Sequence, residues 1–463
     1  MFGETVGRRY AAGEPIRYNR VIGRNRSRRS PHVAKSKPKL PKAARRNASS
    51  STAAKRKSAP GAAASRTATT RKITAPAAKP ATRAGGKRDR AAAGKRIQQM
   101  AKGVVSLVQK QTDPFLEIPS RTLSNVRFNE KRGIIEMLDG TQRRQFFSLL
   151  GRRKGEGSQA KKFMQTIRVA EVCKQLIDRS DSTSIRDLFY NLKMPVKTPP
   201  GQPASKELIF NEQSESDPII EDVEVAVSAL REELGVHAEA KGAMVGPMQI
   251  TDNGDRINLA NMGSGGWAVP SIVEPDVIQF VKHSAKYVLL IEKGAVWQRF
   301  NKDRYWEKNK CMIIHGGGQP PRGVRRLVYR MHHELKLPVY VLVDNDPWGY
   351  YIYSVVKQGS INLAFESQRM AVPAARFIGM SSFDAARFDI PAHVPMPLTD
   401  EDRRRAKEIR NYPWFAKKPW QREIKHMESL GVKLELEAFS SKHFSFITQE
   451  YLPRKLKDRQ WLD

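Results

Sequence analysis

The chain has 463 residues, enough for two or three domains with cores of their own, and 82 lysines and arginines against 47 aspartates and glutamates, a formal charge of +35. Only two cysteines occur, Cys173 and Cys311, which excludes a disulfide framework and a cysteine-built zinc site and fits a reducing interior. No apolar run approaches the ~18 residues needed to span a bilayer, and no secretory signal is expected, because the N-terminus lacks an apolar stretch.

The charge is unevenly spread. Residues 1–110 hold 29 basic and 3 acidic side chains, a net of +26, whereas the remaining residues hold 53 and 44. Residues 1–105 are low in complexity, with stretches such as Ala43-Ala44-Arg45-Arg46 and Ala53-Ala54-Lys55-Arg56-Lys57 whose composition resembles linker-histone tails. Too little apolar surface lies here to offset the entropy of ordering, so a disordered tail is predicted. It serves either as a nonspecific DNA tether, acting by counterion release, or as a solvated segment with no role of its own.

From about residue 112 the composition turns globular. Phe146-Phe147-Ser148-Leu149-Leu150 is read at helical spacing, and residues 162–178 as an amphipathic helix. Thr183 or Ser182 caps the next helix, 184–193, and the Pro-rich stretch 195–203 is a loop. A helix over 219–234 follows, then two strands, 243–250 and 256–259, joined by the turn Asp252-Asn253-Gly254-Asp255. Helix, turn, helix, helix and hairpin make a winged-helix pattern, a DNA-binding scaffold. Gly263-Ser264-Gly265-Gly266 reads as a linker. Beyond residue 284 strands and helices alternate: strands at 287–291, 311–314 and 339–343, a helix at 322–335, further strands at 361–365 and 375–378, and a helical end over 400–463. Such alternation predicts a mostly parallel sheet covered on both faces. His332 and His333 fall at an exposed helix end rather than in a metal site.

Three acidic residues fall at the carboxyl ends of the predicted strands: Glu292, Asp344 and Asp346. That edge of an open α/β sheet is where ligands bind. Three close carboxylates repel one another unless a cation neutralises them, and Mg²⁺ suits hard oxygen donors. The plainer alternative is that the two aspartates only end a strand and cap a helix.

Glu292-Lys293 followed by Asp344-Asn345-Asp346-Pro347-Trp348-Gly349 resembles the metal site of a Toprim domain, which implies Glu292, Asp344 and Asp346 as magnesium ligands. His315-Gly316-Gly317-Gly318-Gln319-Pro320 with Arg325-Arg326 is similar to the glycine-rich turn and basic helix of topoisomerase VI A subunits. The stretch from Ser216-Asp217 to Gly246, with Glu221-Asp222 and Arg231-Glu232, looks like that family's middle segment. Arg186-Asp187-Leu188-Phe189-Tyr190 resembles the active-site motif of topoisomerase VI A subunits and their meiotic break-forming relatives, in which the second aromatic is the nucleophile. On this match Tyr190 attacks. Arg186, four residues earlier on the same helix face, holds the phosphate.

The resemblance covers roughly residues 110–460 and implies an α/β multidomain protein: a basic tail over 1–105, a winged-helix DNA-cleavage domain over 110–262 and a Toprim domain with a helical end over 268–463. It implies an ATP-hydrolysing type II topoisomerase that makes transient double-strand breaks through 5′-phosphotyrosyl links with Mg²⁺. Its partners would be double-stranded DNA, a second copy of the chain in a homodimer, and a GHKL-type B subunit that binds the ATP, in an A2B2 heterotetramer away from membranes. The setting would be the cytoplasmic nucleoid of a prokaryote or the nucleus of a eukaryote. A meiotic-type break-forming transesterase, a noncatalytic DNA-architectural protein and a Toprim nuclease are the alternatives.

Overall fold

At the centre lies a six-stranded sheet in the order Trp267–Ala268, Ala243–Val245, Cys311–His315, Tyr287–Ile291, Val339–Leu342, Arg376–Gly379. The last four run parallel, and the first two are antiparallel additions at one edge. The computed structural model describes residues 71–72, 87–138, 144–150, 159–198 and 200–463, all within a unit spanning residues 70–463.

The central strands are apolar without a break because both faces are covered. Val288, Leu290, Met312, Ile314 and Val341 point into one core, shared with Val324, Leu327 and Val328 of the helix Arg322–Leu335 and Tyr350 and Tyr353 of the helix Pro347–Lys357. Their neighbours Leu289, Ile291, Cys311, Ile313 and Leu342 point into the other, against Trp297 and Phe300 of the helix Gly294–Lys302 and Phe439 and Tyr451 near the C-terminus. This is the two-residue period of a strand read on both faces.

A second, antiparallel sheet joins Arg71–Lys72, Ile278–His283, Met248–Asp252 and Asp255–Asn258. The expected strand over 243–250 is therefore two strands in two sheets. Gly246, at φ +154°, breaks it: a Cβ there would lie 2.6 Å from the Met312 sulfur, and Pro247 follows without an N–H. The turn at Asp252–Asp255 is as expected, with Asn253 and Gly254 both at positive φ.

Four helices, Lys87–Gln109, Ala160–Asp178, Ile185–Leu192 and Gln213–Ala226, build a separate core from Ala93, Ile97, Val169, Cys173, Leu188, Phe189, Ile220 and Val223. The first of them corrects the tail reading for residues 87–105. Ala91-Ala92-Ala93 favour helix, and Ile97, Met100 and Val104 form an apolar stripe that average composition hides. Residues 1–70 and 73–86 lie outside the described residues.

Other expectations shift. Of residues 146–150, read at helical spacing, 146–148 belong to the strand Arg144–Ser148, paired with Phe115–Pro119, where Phe147 faces Leu116 and Ile118 in a small core, and Leu149 and Leu150 follow it. The helix expected over 219–234 begins before Pro218 and ends at Ala226, and no strand forms over 361–365, where a short 3₁₀ turn, Ala364–Glu366, stands instead. The glycine linker is packed: Asn301 donates to the carbonyls of Gly263 (2.9 Å) and Ser264 (3.2 Å), and Gly266 abuts Trp297. Both cysteines are buried and free, and burial pushes each thiol up to about 12.

Candidate active site

Tyr190 sits on the short helix Ile185–Leu192, whose first turn is fixed by Ser184: its hydroxyl oxygen accepts from the Asp187 N–H at 3.0 Å and donates to the Asp187 carboxylate at 2.8 Å. Ser184, rather than Ser182 or Thr183, is the cap. Leu188, Phe189 and Leu192 anchor one face in the helical core, and Arg186 and Tyr190 occupy the outward face. The two adjacent aromatics are thereby separated in role: Phe189 is 5% exposed and Tyr190 57%. Arg186 borders a cavity of about 170 Å³ with Ser184, Gln213, Ala238 and Glu239.

Glu292 directly follows the strand Tyr287–Ile291, and Asp344 and Asp346 follow Val339–Leu342. Because Ile291 is in register with Leu342, the two strand ends are side by side. The Asp344 N–H donates to the Glu292 carboxylate at 3.1 Å. Asp346 caps the helix Pro347–Lys357, accepting from the Gly349 N–H at 2.6 Å. Gly349 is required sterically, since a Cβ would sit 2.5 Å from the Asp344 carbonyl oxygen. Asp346 thus does cap a helix, as the plainer alternative had it.

The electrostatics set this trio apart. Burial, followed by the charges of Asp344 and Asp346, pushes the Glu292 carboxyl up to about 8. Burial also raises Asp344, to about 6, against the pull of Lys293, and it raises Asp346 despite the Gly349 N–H and Lys433. Lys293 is shared, 2.9 Å from Asp344, 3.1 Å from Glu435 and 2.9 Å from Glu437. Glu435, Glu437 and the Leu436 N–H, which donates to Asp344 at 2.8 Å, arrive from a segment about ninety residues downstream, and no local signal announces them.

As the side chains lie, among the described residues no three His, Cys, Asp or Glu groups converge tightly enough to hold one ion. In kind, the donors fit a hard divalent cation. They are carboxylate oxygens, of the buried Asp344 and the half-buried Glu292 and Asp346, whose raised proton affinity reflects a deficit of positive charge. Among the described residues no hydrogen bond or ion pair joins Tyr190 or Arg186 to this trio. His332, as expected, is a helix-end residue, its Nδ1 2.9 Å from the Leu337 carbonyl, and His333 is exposed.

Glu221-Asp222 and Arg231-Glu232 enter a network of ion pairs. Arg121 bonds Glu221 and Asp222, Arg322 pairs with Glu224 (2.6 Å) and Glu366 (2.7 Å), and Arg369 with Glu232 (2.9 Å) and Glu274. These pairs tie the helix Gln213–Ala226, in the same core as the tyrosine helix, to the helix Arg322–Leu335 on the large sheet.

Comparison with known proteins shows the family. Residues 287–456 match the Toprim domain of topoisomerase 6 A subunits and Spo11; residues 161–236 match type IIB DNA topoisomerase; and residues 238–284 match the all-beta domain of the DNA topoisomerase VI alpha chain. The A subunit of type 2 DNA topoisomerase 6 from Hyperthermus butylicus is 40% identical over 79% of this chain and 95% of its own length, and that from Pyrococcus abyssi 37% identical over 80% and 94%. The A subunit of DNA topoisomerase 6 from Arabidopsis thaliana is 32% identical over 74% and 75%. With identity at this level across nearly the whole length of the first two relatives, the chain belongs to the family of topoisomerase 6 A subunits.

Proposed function

We propose that this chain is the DNA-cleaving A subunit of an ATP-dependent type IIB topoisomerase, with Tyr190 as nucleophile. The observation that carries the reading is the exposed Tyr190 phenol on a helix pinned by Phe189 and capped by Ser184. The phenol oxygen bonds to a backbone phosphorus as the P–O3′ bond breaks. The phenolic proton is lost and the 3′ oxygen takes one up, leaving a 5′-phosphotyrosyl link that reverses on religation. Arg186, on the same face, binds the phosphate and stabilises its developing charge. Glu292, Asp344 and Asp346 would hold Mg²⁺, which when bound supplies charge stabilisation at the phosphate and at the departing oxygen.

The DNA-cleavage part is read as residues 110–262 and the metal-binding part as 268–463. A winged helix within the former is supported by the helices Ala160–Asp178 and Ile185–Leu192 and by an antiparallel pairing just after them. There the Val196 N–H donates to Glu207 (2.8 Å) and the Ile209 N–H to Met194 (3.0 Å). This pairing replaces the 243–259 hairpin as the candidate wing. The partners are duplex DNA, a second copy of the chain and a GHKL-type B subunit that binds ATP, in an A2B2 assembly placed with the DNA in nucleoid or nucleus. Among the described residues no helix is long and apolar enough to cross a membrane.

The test is a covalent-adduct assay with supercoiled plasmid, Mg²⁺, ATP and a B subunit of known activity. Wild type should give protein-linked 5′ ends and Tyr190→Phe none. Adducts that persist in Tyr190→Phe, or none from wild type, would refute the reading. ATP-dependent relaxation favours the topoisomerase; cleavage without relaxation favours the break-forming transesterase, which the matched Toprim family also includes.

A further inference from the structure

The helix Arg322–Leu335 carries four arginines, and three of them are matched. Arg322 pairs with Glu224 and Glu366, Arg326 grips Glu274 through two N–H groups (2.9 and 2.8 Å), and Arg330 donates to Glu334 (2.6 Å) and to the Ile278 carbonyl (2.8 Å). Arg325 is the exception. It is only 4% exposed, and among the described residues its guanidinium has neither a hydrogen bond nor an ion pair. Its Nε is sealed from solvent without a partner. A buried guanidinium with no hydrogen-bond partner has donors left for a group outside the chain.

Arg325 lines a cavity of about 320 Å³ together with Arg231, Lys241, Gln319 and Arg322. The first turn of the Arg322–Leu335 helix forms part of the wall, and no side chain caps it, because its N-cap is Pro321. Uncapped first-turn amides give this wall the partial positive charge of a helix N-terminus. Lys241 is exposed and free of ion pairs among the described residues, and it lies against Gly317 of the glycine-rich turn, where a Cβ would be 3.6 Å from its Cε. Two carboxylates border the cavity. Glu221 is already engaged by Arg121 and Arg322, and Glu239 is exposed. Ala238 and Glu239 also border the cavity that holds Arg186, so the two share a wall.

We propose that this cavity is a phosphate-binding subsite in which Arg325, Lys241 and the uncapped first turn of the helix receive one phosphate group. The shared wall with the Arg186 cavity favours a backbone phosphate of the strand held there, which rests on the topoisomerase reading. A free phosphate ester has the same chemistry.

Both sources are tested on the full-length protein in EDTA, where no cleavage is read. The first arm follows anisotropy of a labelled duplex across a salt titration. Lys241→Ala and Arg325→Leu should each weaken binding on the order of fivefold at 0.1 M salt and lower the log–log salt slope by about 0.9, the signature of one lost phosphate. Lys407→Ala, on the helix Asp400–Arg410, should change neither. The second arm measures thermal stabilisation by inorganic phosphate against chloride at equal ionic strength, expected in wild type and lost in both variants. A changed slope without phosphate stabilisation assigns the site to the DNA backbone, and the converse assigns it to a free phosphate ester. Normal slope and normal phosphate response in a folded Lys241→Ala protein overturn the proposal, even if Arg325→Leu does not fold. A protein that forms no Tyr190 adduct yet shows these shifts keeps the subsite and loses the topoisomerase reading, so the two fail separately.

Discussion

Glu224 and Glu274 are buried against guanidinium groups, whereas the half-buried Glu292 lies against the buried Asp344. In the first region burial alone would raise the carboxyls, but Arg322 and Arg231 leave Glu224 below its ordinary range, and Arg326 and Arg369 do the same for Glu274. In the second, one shared lysine does not offset burial and mutual repulsion, and Glu292 rises to about 8. Glu292, although only half-buried where Glu224 is fully buried, therefore holds its proton more tightly. Glu366 and Asp222 are raised by burial although arginines pair with them, so a raised carboxyl alone does not mark a cation site. Glu292 differs in that it rises to about 8 with only the lysine held by Asp344 to oppose the aspartate charges beside it, which is where an outside cation would add most.

The comparison breaks most readily at the matched region. Arg322→Ala removes the nearest cation from the buried Glu224 and Glu366, leaving them only Arg231 and Arg369, and should cost about 3–5 kcal/mol, read as a lower urea midpoint. A loss under about 1 kcal/mol would mean that the network is dispensable. Glu292→Gln should do the reverse. It removes a repelled charge, so the urea midpoint at pH 8 should hold or rise, while Mg²⁺-dependent DNA cleavage falls at least about 100-fold. A large loss of stability would place Glu292 with the structural carboxylates.

The two regions should also oppose each other in pH. Glu224 and Glu274 are lowered, so their stabilisation is complete above the ordinary glutamate value of 4.5 and disappears as pH falls through their folded values. Glu292 is raised, so its contribution is most favourable below 4.5 and declines as pH climbs towards about 8. On the proposed reading, cation binding displaces the Glu292 proton below that pH. Thermal stabilisation by Mg²⁺ should therefore grow from pH 6 to pH 8 and level off above. A pH-independent gain would show that the carboxyl is already ionised.

Much of the sheet was legible because it obeys simple periods. The unbroken apolar run Tyr287–Ile291 and the stripe through Arg322–Leu335 gave their observed bounds, and the acidic residues fell at the strand ends as expected. What escaped depends on contacts distant in sequence. Nothing near residue 292 announces Glu435 or Glu437, and nothing in the run 243–250 shows that Gly246 must pass beside Met312 and divide it between two sheets. Averaging concealed the helix Lys87–Gln109, whose apolar stripe is diluted by the basic residues around it.

The contrast is tested most directly by counting Mn²⁺ ions, a paramagnetic substitute for Mg²⁺, on the metal-free protein by electron paramagnetic resonance at pH 8. The account predicts a site in wild type that is lost in Glu292→Gln and in Asp344→Asn and retained in Glu224→Gln wherever that variant stays folded. Equal Mn²⁺ binding by wild type and Glu292→Gln would contradict it, because the unmatched carboxylates would then not be where the cation goes.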